Sequence, residues 1–288
     1  MNRPVGIYYA YWVHDWDVDF LPFIEKAKRL GFDLLELHAA NIAERNSAYR
    51  LKVRDAAEKE GLLLSYGVGL EKKYDLSSPD EQVRQRGVAF MKKVILAIEE
   101  MGGGMISGTV HSYWPAVPPA DLETKAPMWK QSVKSMKELA PFAEDHSVKL
   151  NVEVINRFEQ FLINTSEEAA AYVAEVNSPA CNILLDTFHM NIEEDSFTDA
   201  IHLAGKRLAS FHMGEPNRKL PGMGRMPWGE IKKALDDIAY TGPLVMEPFL
   251  MPGGAVGRDI GVWRDMVKSP DLDVLAEQSA AFVKAHLR

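Results

Sequence analysis

The chain reads as an α/β protein, a (β/α)8 barrel of the TIM type forming a single domain over residues 1–288, and three observations predict this. Eight short aliphatic and aromatic runs recur along the sequence. Longer segments with helical spacing of apolar residues separate them, so strand and helix alternate as a parallel sheet requires. No Pro/Ser-rich linker or low-complexity block divides the chain. Its length matches two average domains, but α/β barrels fill such a length as one, and eight units close a barrel.

The first strand is "VGIYY" at 5–9, followed by "DLLELH" at 33–38 and "LLLSYGV" at 62–68. A helix then opens at "SSPDEQ", where Ser and Pro-Asp-Glu favour a start. It keeps its apolar residues on one side and stops at Gly102 and Gly103. Strand four is "MISGTV" at 105–110 and strand five "VKLNVEV" at 148–154; the helix "NTSEEAAAYVAEV" leads to "NILLD" at 182–186. "RLASFH" at 207–212 is the seventh strand, and the helix "MPWGEIKKALDDIAYTG" precedes the eighth, "LVMEPF" at 244–249.

Bulk properties exclude several function classes. A net charge of −8 and a pI near 5.6 argue against nucleic acid, whose binding rests on clustered Lys and Arg. The single cysteine, Cys181, rules out an intramolecular disulfide and suits a reducing compartment. The apolar run in "GIYYAYWVHDWD" is broken too soon by His14 and Asp15 for a signal peptide. No segment reaches the roughly 18 unbroken apolar residues of a bilayer span. The expectation is a cytoplasmic protein that binds no membrane.

The stretch "CNILLDTFHMNIEED" ends an apolar run on Asp186. Asp is common where a strand meets a helix, so one case means little. In a barrel, however, active sites form at the C-terminal strand ends. The last four strands end alike, with Glu153 in "NVEVIN", Asp186 in "ILLDTF", His212 in "ASFHMG" and Glu247 in "VMEPFL". Buried carboxylates are costly without a counter-charge, so three converging on one barrel mouth call for a divalent cation. Three carboxylates and an imidazole suit Mn²⁺, Co²⁺ or Mg²⁺ better than a thiolate zinc site.

Groups suited to a polyol surround this centre. Tyr8, Trp16, Trp114 and Phe249 offer flat faces to sugar C–H groups, and Gly67 lies at the end of the third strand. Glu159, His189 and Arg218 follow ligand-bearing strands by three to six residues and so reach toward hydroxyls in the same pocket. "PGMGRMPWG" lacks the third glycine of a dinucleotide-binding loop, and neither a His-Glu-x-x-His helix nor a Gly-x-Ser-x-Gly elbow occurs. Hydride transfer and serine hydrolysis lose their usual supports.

On "GIYYAYW", "GFDLLEL", "HSYWP", "EVINRFE", "LLDTFHMNIEEDSF", "PGMGRMPW", "MEPF" and "DIGVWRD", the chain resembles the ketose 3-epimerases among the xylose-isomerase-like barrels. The resemblance implies one divalent metal per subunit, Mn²⁺ or Co²⁺, on Glu153, Asp186, His212 and Glu247. It implies sugar contacts from Glu159, His189 and Arg218, and a homodimer or homotetramer, with "HSYWP" or "DIGVWRD" as candidate contacts. It also implies inversion at C3 of a ketose, D-fructose/D-allulose or D-tagatose/D-sorbose. Glu153 and Glu247 then work on opposite faces of C3, one removing the proton and the other delivering one, while the metal stabilises the developing enediolate. Departures from relatives at Leu70, Glu71, Met213 and Pro216 bear on the preferred sugar. Two alternatives stay open: an isomerase moving a proton between C1 and C2, which shares enediolate chemistry, and a sugar-binding barrel without turnover.

Overall fold

The structure is a computed structural model that describes residues 3–117, 121–268 and 270–288. Eight parallel strands close in sequence order: β1 (Val5–Tyr8), β2 (Leu34–His38), β3 (Leu63–Val68), β4 (Gly104–Gly108), β5 (Val148–Glu153), β6 (Cys181–Asp186), β7 (Leu208–Met213) and β8 (Leu244–Met246), with β8 pairing back onto β1. Outside run the helices α1 (Leu21–Arg29), α2 (Ala39–Glu44), α3 (Ser47–Glu60), α4 (Glu81–Glu100), α5 (Lys125–Asp145), α6 (Ser166–Val176), α7 (Thr187–Glu193), α8 (Phe197–Ala204), α9 (Trp228–Asp237), α10 (Gly254–Ile260) and α11 (Leu272–His286). The core lies between barrel and helices. In α4, for example, Val88, Met91, Val94, Ile95 and Ile98 form one buried stripe, and Asp80 accepts the Gln82 N–H as its cap.

Three expectations shift in detail. The eighth strand ends at Met246 rather than 249, because Pro248 has no N–H for the ladder. The fourth stops at Gly108, whose φ of +123° turns the chain and whose missing Cβ would meet the Val68 carbonyl oxygen at 2.2 Å. The alternation is also richer than one helix per strand. The short helices α2, α7 and α10 sit in the loops that follow β2, β6 and β8, at the barrel end where active sites form.

Strand register places the four strand-end residues at one height. Asp186 is the partner of His212, whereas Glu153 pairs with Leu184 and His212 with Val245. Passing from Glu153 to Asp186 and from His212 to Glu247 therefore advances two residues beyond the register partner. Tilted barrel strands require such a stagger for side chains to share a layer.

Candidate active site

Glu153, Asp186, His212 and Glu247 each present one ligand atom, and these atoms all lie within 4.8 Å of one another. Donors bound at ~2.1–2.5 Å to a common ion stand up to roughly 4–5 Å apart, so the spacing suits one divalent cation. The electrostatics agree. Burial, then the Glu247 charge, pushes the Glu153 carboxyl well above its ordinary range, with Asp186 adding to the effect. Burial alone would lower the His212 imidazole, yet the Glu36 and Glu247 carboxylates raise it well above 6.5. Its Nδ1, 3.8 Å from Glu247 Oε2, has no hydrogen-bond partner. A site that must otherwise hold extra protons on its own carboxylates and imidazole is one that a cation fits. Asp186 also performs the humbler task open to a strand-end Asp: one oxygen accepts the Phe188 N–H at 2.6 Å and caps α7.

Above the cluster opens a cavity of about 430 Å³. All eight residues expected to contact sugar line it: Tyr8, Trp16, Gly67, Trp114, Glu159, His189, Arg218 and Phe249. Glu153, His212 and Glu247 form its floor, while Asp186 is buried behind them. Tyr8 and Trp16 meet Phe249 edge-on, with centroids 6.5 and 6.4 Å apart, so the three rings make one apolar wall. Leu70 and Glu71 line the cavity; Met213 is buried in the core, and neither it nor Pro216 lines the space.

Arg218 is no surface residue. Its Nη2 donates to Glu247 Oε2 at 2.8 Å, and its guanidinium lies 4.4 Å from the Phe188 ring centre and 5.0 Å from that of Phe249. The surrounding "GEPNRKLPGMGRMPW" is organised by Glu215, a fully buried carboxylate that accepts from the N–H groups of Gly222 and Met226 and from Trp228 Nε1. Arg218 itself takes a left-handed φ of +57°, uncommon for a side chain of its size and characteristic of functional sites.

His189 has a defined tautomer. The Asn156 backbone N–H points at Nδ1, making Nδ1 the acceptor and leaving the proton on Nε2, 3.7 Å from Glu153 Oε1. Burial pulls this imidazole down to about 4, so it is neutral near pH 7. Asn156 also donates to Glu159, whose other oxygen accepts from Trp114 Nε1 at 3.0 Å. Burial would raise the Glu159 carboxyl, but Arg218 and His189 hold it below its usual range. The sequence reading missed Asn156, a neutral amide in a loop. It also missed Asp259, which fixes Trp16 through a 2.9 Å bond to the indole N–H.

A closed parallel barrel whose strand ends bring four potential ligands together beneath an aromatic-walled cavity has the architecture of an α/β-barrel enzyme with a candidate divalent-metal site. Residues 24–269 match the xylose isomerase-like TIM barrel family. D-psicose 3-epimerase of Agrobacterium fabrum is 45% identical over 276 residues, covering 95% of this chain and 94% of that protein. L-ribulose 3-epimerase of a Methylomonas species is 30% identical over 95% of this chain and 94% of its own. A crystal structure of D-psicose 3-epimerase in the presence of D-fructose superposes with a TM-score of 0.96 at 44% identity, covering 99% of both chains. The chain belongs to the xylose isomerase-like TIM barrels and, within them, to the ketose 3-epimerases. Among the described residues no helix is long and apolar enough to cross a membrane.

Proposed function

We propose that this protein, as one catalytic unit over residues 1–288, inverts C3 of free ketohexoses, interconverting D-fructose with D-psicose (D-allulose) and D-tagatose with D-sorbose. The observation that carries the reading is that Glu153 and Glu247 belong to one four-ligand cluster and both open onto the same sugar-sized cavity. Mn²⁺ or Co²⁺, with Mg²⁺ as a weaker fit, would be held by Glu153, Asp186, His212 and Glu247. Such an ion supplies Lewis acidity beside C3, where an unaided carboxylate is too weak a base.

The chain's own groups divide the rest. One of Glu153 and Glu247 takes the C3 proton onto a carboxylate oxygen while the other returns one from the opposite face. The pair exchanges roles with the direction of reaction. Arg218 fixes the orientation of the Glu247 carboxylate through its 2.8 Å bond to Oε2 and sets a positive charge beside the reacting centre. The His189 Nε2–H donates to a sugar hydroxyl, and Glu159, fixed by Asn156 and Trp114, accepts from another. The wall of Tyr8, Trp16 and Phe249 packs against sugar carbon and keeps water away. Assembly into a homodimer or homotetramer belongs to the same proposal and is supported by Trp263, 77% exposed within "DIGVWRD". A cytoplasmic setting is supported by the one buried, unpaired thiol, Cys181.

The test is turnover of D-fructose by metal-stripped protein with chromatographic detection of D-psicose. Stripping abolishes formation of the epimer and Mn²⁺ or Co²⁺ restores it; full activity after complete stripping contradicts the reading.

A further inference from the structure

Beneath the ligands the barrel interior is polar. Ser65, Asn151 and Ser210 are fully buried, and each lies two residues before an inward-facing position of the site, Gly67, Glu153 or His212. Glu36 on β2 joins this layer, also fully buried, and its Oε2 accepts from Ser65 Oγ at 2.8 Å. Its Oε1 stands 3.1 Å from His212 Nε2. The strands β8 and β1 separate β7 from β2, so the carboxylate reaches across the interior to meet the imidazole. Gly67 leaves the room: a Cβ there would lie 3.3 Å from Glu36 Oε1. The approach is off the line of a full hydrogen bond, and neither Oε1 nor Nε2 has any other partner.

We infer that Glu36 is a positioning residue for the metal site: it holds the His212 proton on Nε2 and turns the Nδ1 lone pair toward Glu153, Asp186 and Glu247. This rests on the metal-dependent reading above. An imidazole can ligate only through an unprotonated nitrogen, and the partner of the far nitrogen decides which one that is. Of the two ring nitrogens, Nδ1 faces Glu247 within the cluster and Nε2 faces Glu36 outside it. Ser65 satisfies one Glu36 oxygen, which leaves the other for the ring. A carboxylate buried in a barrel interior merely to fill space would cost stability without return.

The experiment is calorimetric titration of Mn²⁺ into metal-stripped wild type, Glu36→Leu and Glu36→Gln, with circular dichroism of each. Loss of such an outer partner weakens metal binding roughly 10- to 100-fold, the effect expected for Glu36→Leu. Glu36→Gln recovers most of the affinity, since its amide oxygen still accepts from Nε2–H. Equal affinities in wild type and Glu36→Leu overturn the inference, as does a Glu36→Gln variant as weak as Glu36→Leu. A wild type that takes up neither Mn²⁺ nor Co²⁺ overturns the metal reading itself, a separable result. Should Glu36→Leu fail to fold, nitrogen-15 spectra of Mg²⁺-loaded wild type decide. A proton on Nε2 of His212 supports the inference, and a proton on Nδ1 overturns it.

Discussion

Replacing Arg218 with Met keeps the length of the side chain and removes its charge and its bond to Glu247. The structure gives the scale of the loss. The 2.8 Å pair is almost wholly buried, and Glu247 lies in a cluster that already holds Glu153 and Asp186. Removing one partner of a buried pair costs about 3–5 kcal/mol, because the remaining charge is left uncompensated. That figure is a cost to the fold and an upper bound on the kinetic effect; only the part lost between free enzyme and transition state slows the reaction, and about 3 kcal/mol there corresponds to on the order of 100-fold in kcat/KM. Initial rates of D-fructose epimerisation, followed by chromatography at saturating Mn²⁺, measure it. Arg218→Lys should fall between, since an ammonium restores charge but cannot lie flat between Phe188 and Phe249. If Arg218→Met stays within about threefold of wild type, the electrostatic role given to this residue is wrong.

Other consequences are as direct. Glu153→Gln and Glu247→Gln should each lower turnover by roughly a thousandfold or more while sugar binding, read calorimetrically, persists; full turnover in either variant removes its proton-transfer role. His111 is fully buried with no hydrogen-bond partner on either ring nitrogen, and burial pulls it from 6.5 to about 3. It is neutral in the fold but protonates near 6.5 once unfolded, so its share of stability is intact above that pH and lost as pH falls below it. The loss is on the order of 3 kcal/mol by pH 4. Urea denaturation at pH 7, 5.5 and 4 should show a flatter profile for His111→Phe than for wild type, and parallel profiles would contradict the assignment.

The parts legible in the sequence were those with a local signature. Glu153, Asp186, His212 and Glu247 each interrupt an aliphatic run at a strand end, so the fold and the cluster could be read together. Glu36 bears the same mark inside "DLLELH" but sits on the second strand, away from the four that drew attention. Asp259 and Trp16 are 243 residues apart and meet only because the chain closes on itself, a relation no local pattern carries. Arg218 is placed in the pocket by its distance from a ligand-bearing strand, but its bond to Glu247 and the loop that Glu215 organises by gathering N–H groups carry no local signature. β8 is shorter than its apolar run suggests for a smaller reason, since Pro248 has no N–H to extend the ladder.

The most direct test of the account follows the proton. With the Mn²⁺-loaded enzyme in D₂O and D-fructose as substrate, deuterium located by NMR should appear at C3 of both D-psicose and recovered D-fructose. Label confined to C1 would show instead that the carboxylates move a proton between C1 and C2, and the assignment of Glu153 and Glu247 to opposite faces of C3 would fall.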